Sequence, residues 1–258
     1  MVTQIFLMEK PQPKEAVAFV GLPGIGLVGK IVVDYLVKEL KPKKIADVYS
    51  DAFPPAVITR SGILELFTDH IYHLETKGKH FYFVSGPVIP NLEQGTTASE
   101  VQYDFARALV AALKDLKVSQ IYTLAGLNVG DKRMTITPGV VVSATDKGTL
   151  EKWKATGARA SGTDDTIWGY AGLTLGIGKV QGIPGACLMG ETSAQLVYGD
   201  PGASKSVLAL IDKQFKFNLK MDRIEAEAKE IETAFKKLAE TMAAEEGHGG
   251  QSNLPYVR

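Results

Sequence analysis

The chain has 258 residues, its 29 basic and 29 acidic side chains cancel, and it carries a single cysteine, Cys187. That length allows a substantial core in one main domain, and zero net charge without a dense basic face argues against nucleic acid or an anionic membrane as partner. One cysteine supplies neither an internal disulfide nor a metal cluster, and no apolar run reaches the roughly 18 residues of a membrane span, so a soluble cytoplasmic protein is expected, with Cys187 a small buried apolar residue.

In chain order, strand-like and helix-like segments alternate, the pattern of an α/β domain with a largely parallel sheet and helices on both faces. Ala16 to Val20 reads as a strand ending at Gly21, and Ile31 to Leu40 as a helix. Lys44 to Tyr49 is a further strand, followed by an antiparallel section from Ala56 to Ser85 with a turn at Lys77-Gly78-Lys79. Thr97-x-x-Glu100 is a capping box, and Val101, Phe105, Ala108, Leu109, Ala112 and Leu116 recur behind it at helical spacing. Gln120 to Ala125 and Val140 to Ala144 read as strands, Asp165 to Lys179 as a glycine-rich helical stretch, and Ala186 to Met189 as a strand. Asp200-Pro201 opens a helix, with Asp as the cap and Pro in the first turn.

The stretch AFVGLPGIGLVGKIVVDYL carries two phosphate-loop signatures. Gly24, Gly26 and Gly29 spell G-x-G-x-x-G, and Gly24 through Lys30 spell G-x-x-x-x-G-K, between a strand and a helix, where backbone N–H groups and the helix dipole converge on an anion. Ile31 replaces the hydroxyl that would hold magnesium, and Asp47 lies mid-strand instead of at the tip where a ribose would be bound. Tight strand-to-helix packing is therefore the expected use of the glycines, and an anion site on Gly24, Gly26, Gly29 and Lys30 the alternative. His70 and His73 point to opposite strand faces, so no metal site is expected there, and Asp164-Asp165 read as helix caps. Glu191-Thr192 follow a strand at the carboxyl edge of the sheet, where doubly wound folds place ligands. No catalytic elbow, zinc motif or Cys-x-x-Cys occurs, so neither catalytic residues nor a cofactor are expected.

From residue 217 the pattern becomes a heptad seam: Phe217, Met221, Ile224, Ala228, Ile231, Phe235, Leu238 and Met242. A continuous helix over this span would be about 40 Å long, and leaving its apolar row in water would forgo on the order of 10 kcal/mol, so pairing with other copies of the chain is expected, with folding back onto its own domain as the alternative. The organisation read from the sequence is thus a domain over 1–216, an oligomerisation helix over 217–245 and a flexible tail over 246–258 ending in a short apolar tip.

Together, GLPGIGLVGKIVVDYL, GPVIP at 86 to 90, TLAGL at 123 to 127, GIPGACLMGET at 182 to 192 and YGDPGASKSVLALID ahead of the heptads resemble the archaeal branch of the proteasome assembly chaperone family. The resemblance covers nearly the whole chain and implies a three-layer α/β/α sandwich similar to nucleoside phosphorylases. It also implies no catalytic activity, self-association, contact with proteasome core-particle α subunits and room for a second assembly factor. Some relatives end in a hydrophobic residue, Tyr and one further residue, a motif that docks between α subunits. Here Leu254, Tyr256, Val257 and Arg258 make the corresponding tail, with Tyr256 third from the end. The alternative is a phosphate- or nucleoside-binding enzyme with Glu191 near its substrate.

Overall fold

The alternation of Ala18, Phe19 and Val20 decides the architecture, because successive strand side chains face opposite ways and all three are fully buried. In the computed structural model, which describes residues 3–89, 97–162, 164–229 and 233, Ala18 and Val20 enter one apolar core and Phe19 a second. The sheet between the two cores has nine strands among the described residues: β1 (Thr3–Leu7), β2 (Ala16–Val20), β3 (Lys43–Ser50), β6 (Asp69–Thr76), β7 (Lys79–Ser85), β8 (Val118–Asn128), β9 (Val140–Ala144), β10 (Arg159–Ala160) and β11 (Gly185–Thr192). Their order is β1-β3-β6-β7-β2-β8-β11-β9-β10. A separate hairpin, β4 (Val57–Arg60) with β5 (Ile63–Leu66), makes a second small sheet.

The centre, β7-β2-β8-β11, is a run of parallel neighbours, and β10 pairs parallel with β9 at one edge. Antiparallel pairings of β6 with β7, β3 with β6 and β1 with β3 extend it on one side, and β9 runs antiparallel to β11 on the other. The expected largely parallel sheet is therefore corrected to a mixed one. The physical reason is the tight turn at Lys77 and Gly78, both with positive φ, which returns the chain directly beside β6.

Helices α2 (Thr97–Asp115) and α4 (Tyr170–Val180) bring Phe105, Leu109, Leu113 and Leu175 to the first core. Helices α1 (Val28–Leu40), α3 (Lys147–Thr156) and α5 (Pro201–Phe215) bring Val32, Leu36, Trp153, Val207 and Ile211 to the second. Asp200 caps α5 as expected, its side chain accepting from the Ala203 N–H, with Pro201 in the first turn. Asp165 does not cap α4: that helix starts at Tyr170 behind Gly169, and Asp165 Oδ1 accepts the neighbouring Thr166 N–H at 2.7 Å. Cys187 is fully buried, and burial pushes its thiol pKa up to about 11.

The heptad seam behaves differently from a free-standing helix. Residues 216–221 are not helical, because Lys216 and Asn218 both adopt left-handed backbone conformations, and helix resumes as α6 over 222–229. Phe217 packs edge-on to Phe81, ring centroids 4.9 Å apart, inside an aromatic cluster with Phe19, Phe83 and Phe215. The Tyr35 hydroxyl donates to the Lys220 carbonyl at 2.5 Å, and Asp212 Oδ1 accepts the Leu219 N–H at 3.2 Å. Ile224 and Ala228 are buried, and Ile224, with the partly buried Phe217 and Met221, packs on the domain's own second core. Ile231, Phe235, Leu238 and Met242, and the tail residues Leu254, Tyr256, Val257 and Arg258, lie outside the described residues.

Candidate functional site at the carboxyl edge of the sheet

Strands β2, β7, β8 and β11 run parallel, so the segments that follow them meet at one edge, where open α/β sheets hold ligands. The glycine loop after β2 is built into that edge by contact. Gly26 has a φ of 59°, and a Cβ there would collide with the Thr192 side chain; a Cβ on Gly29 would overlap the Leu124 carbonyl of β8. The Leu22 N–H donates to the Tyr170 hydroxyl at 3.0 Å, and that hydroxyl in turn lies 2.9 Å from the Leu22 carbonyl and 3.2 Å from that of Leu124. The Gly26 carbonyl accepts the Asp200 N–H at 2.8 Å. Burial pushes the Tyr170 phenol well above its ordinary pKa, so it stays a neutral hydrogen-bonding peg.

Opposite Gly26 lies an ion pair that the sequence does not announce. Arg133, in the turn Gly130–Met134 that follows β8, donates through Nε to Asp200 Oδ2 at 2.6 Å and through Nη2 to Oδ1 at 2.8 Å. The same carboxylate accepts the Thr192 hydroxyl at 2.8 Å and the Ala203 N–H at 3.0 Å. Arg133 is 1% exposed and Asp200 is fully buried. Such forked, charge-assisted bonding satisfies both partners and ties the turn after β8, the end of β11, the glycine loop and the start of α5 into one knot. A carboxylate of the chain itself thus sits beside the glycine loop.

The other predicted residues are placed around this knot. Lys30 is bonded to Asp34 Oδ2 at 2.6 Å, one turn along α1, and the Ser85 hydroxyl is bonded to the other oxygen of Asp34. Glu191 Oε2 accepts the Gly139 N–H at 2.9 Å, and its Oε1 is paired with Arg159. His70 is bonded to Asp47 at 2.6 Å and His73 to His80 at 3.0 Å, and no group of three or more metal-ligating side chains occurs among the described residues. The structure brings Gly26 and Thr192 together, and it turns Lys30 and Glu191 to partners of their own.

Asp69, the first residue of β6, is a further buried acid at this edge. Burial outweighs the Val88 N–H and the Lys30 charge and raises its pKa to about 8. Neither oxygen has a partner of full hydrogen-bond geometry among the described residues. No helix among these residues is long and apolar enough to cross a membrane.

The fold and this edge define a class: a mixed α/β domain whose phosphate-style glycine loop packs through Gly26 and Gly29 against β11 and β8. The chain belongs to the PAC2 family, whose sequence profile matches residues 18–239. It is 31% identical over 251 residues to an uncharacterised protein of Methanocaldococcus jannaschii, covering 95% of this chain and 93% of that one. Its structure is similar to PbaB of Pyrococcus furiosus, described as an archaeal proteasome activator, with a TM-score of 0.81 and 29% identity over 92% of this chain and 99% of that one. PbaA of the same organism, described as an archaeal homologue of proteasome-assembly chaperone, shares the fold at a TM-score of 0.74, with 22% identity over 96% of each chain.

Proposed function

We propose that the protein is a non-enzymatic proteasome assembly factor of the cytoplasm that self-associates and contacts core-particle α subunits. The observation that carries this reading is the near full-length kinship with PbaB within the PAC2 family. The edge of the sheet supports it, since the buried Arg133–Asp200 pair stands beside the loop that a nucleotide-binding relative would leave for phosphate. In this reading the two helical layers and the sheet form the sandwich expected of a nucleoside-phosphorylase-like chaperone, and residues beyond 229 and the terminal tail carry contacts to other chains.

The hairpin β4–β5 is a contact surface of suitable chemistry. Its register sets Val57 opposite Leu66 and Thr59 opposite Leu64, so one face holds Val57, Leu64 and Leu66, each at least half exposed. An isolated two-stranded hairpin is marginal in water, and an apolar face on one is the kind of surface a partner covers. Native mass spectrometry of the full chain with purified, unassembled α subunits tests the function. A complex with α subunits is expected, and weakened by Leu64→Asp together with Leu66→Asp; no complex at any ratio would refute the reading.

A further inference from the structure

At the opposite end of the sheet, where β2, β7 and β8 begin, lies a cavity of about 490 Å³ lined by Lys79, His80, Phe81, Gln120, Lys152 and Phe215 among others. That volume falls within the range of small-molecule sites, about 300–1,000 Å³. Two lysines, Lys79 and Lys152, line this cavity, and neither forms an ion pair among the described residues. Lys152 reaches in from α3, its Nζ 5.8 Å from the centre of the Tyr122 ring and 5.5 Å from that of Phe215. Its neutral partners are distant, Gln120 Oε1 at 3.4 Å and the Tyr122 hydroxyl at 3.3 Å, while Tyr122 itself donates to Gln120 at 2.7 Å. Burial first, and the charge of Lys79 second, hold the Lys152 ammonium below the usual lysine range. The one acid in the lining, Glu15, is exposed.

Two like charges, one of them half-buried, beside a roomy hollow whose lining carboxylate, Glu15, is exposed and ion-paired to neither, repel each other until an anion enters, and in such a place an anion gains more than on open surface. We propose that this cavity binds a doubly charged oxyanion between Lys79 and Lys152, carried on a small organic molecule whose apolar part lies along Phe81 and Phe215. The shared chemistry is the pair of anionic oxygens, which a phosphate monoester or a dicarboxylate supplies equally.

Isothermal titration of the full chain with inorganic phosphate, at fixed ionic strength set by chloride, tests this, and malonate serves as the dicarboxylate arm. Saturable binding of at least one of the two is expected, and the tighter one identifies the chemical source. Lys152→Met keeps the stem over Phe215 and is expected to weaken binding about tenfold or more, as loss of a charged partner does. Lys79→Met, at an exposed position, is expected to weaken it about threefold. Lys30→Met, in the glycine loop, is expected to leave it unchanged. The same anion should raise the thermal midpoint of the wild type and not that of the double Lys79→Met, Lys152→Met variant. Absence of saturable heat with either anion would overturn the proposal, as would unchanged affinity in both cavity variants, or loss of binding in Lys30→Met alone.

Discussion

A Cβ on residue 86 would fall inside the carboxyl group of Asp69, so Gly86 and Asp69 fit each other as one packed unit where β6 begins and β7 ends. The aspartate is fully buried, and its pKa of about 8 stands far above the ordinary 3.8. Between those values the folded chain holds a proton that the unfolded chain has lost. Stability contributed by this group is therefore complete below about pH 4 and falls as pH rises towards 8.

Asp69→Asn keeps the shape and removes that proton exchange. Urea midpoints measured from pH 5 to 8.5 are expected to slope downward less steeply in the variant than in the wild type. An identical slope would mean that Asp69 does not titrate in this window. Gly86→Ala, which forces the carboxyl aside, is expected to destabilise at every pH.

Breaking the knot at the carboxyl edge from one side leaves a charge buried without its partner. Arg133→Met or Asp200→Asn is expected to cost about 3–5 kcal/mol in denaturant unfolding. A double replacement is expected to cost well under the sum of the singles, because no uncompensated charge remains. Additive losses would show that the two side chains act independently.

The glycine loop makes a complementary prediction. Gly26→Ala imposes a side chain both on a left-handed backbone and on Thr192, at a cost of about 1–3 kcal/mol. That cost is expected with phosphate present or absent, since the glycine serves packing. A variant that is fully stable until phosphate is added would restore the anion reading of Gly24, Gly26, Gly29 and Lys30.

Truncation separates the two halves of the seam. Removing everything after residue 229 is expected to leave a folded domain, whereas removing everything after 216 strips Phe217 and Ile224 from the second core and lowers its stability by several kcal/mol, at about 2–5 kcal/mol for a large buried side chain. Light scattering on the longer of these two truncated chains, beside the full chain, then reads the contribution of the later heptads to assembly size. Ile224→Ala in the full chain isolates one buried seam position and is expected to cost about 2–5 kcal/mol.

Much of this fold was legible because its signals are local. The β-branched runs of β2 and β9 mark their strands to the residue, and Asp200-Pro201 marks the start of α5. Edge strand β1, paired only to β3, and helix α3, whose ten residues are mostly polar, were not expected. Of the heptad positions, Ile224 and Ala228 are buried within the single chain, and periodicity tells that a face is to be covered and not by what. Least legible was the candidate site. Arg133 and Asp200 are 67 residues apart, and nothing local to either reports the other. Asp69 likewise reads as an ordinary strand-end aspartate until Gly86 is seen against it.

Residues 26, 133, 192 and 200 fasten together three stretches of chain that lie far apart in sequence: the glycine loop, the turn after β8, and the segment from the end of β11 to the start of α5. With those bolts in place, this rim of the sheet opens only when the whole domain does, and amide exchange there should be as slow as global unfolding. A platform of that stiffness holds its outline whatever presses against it.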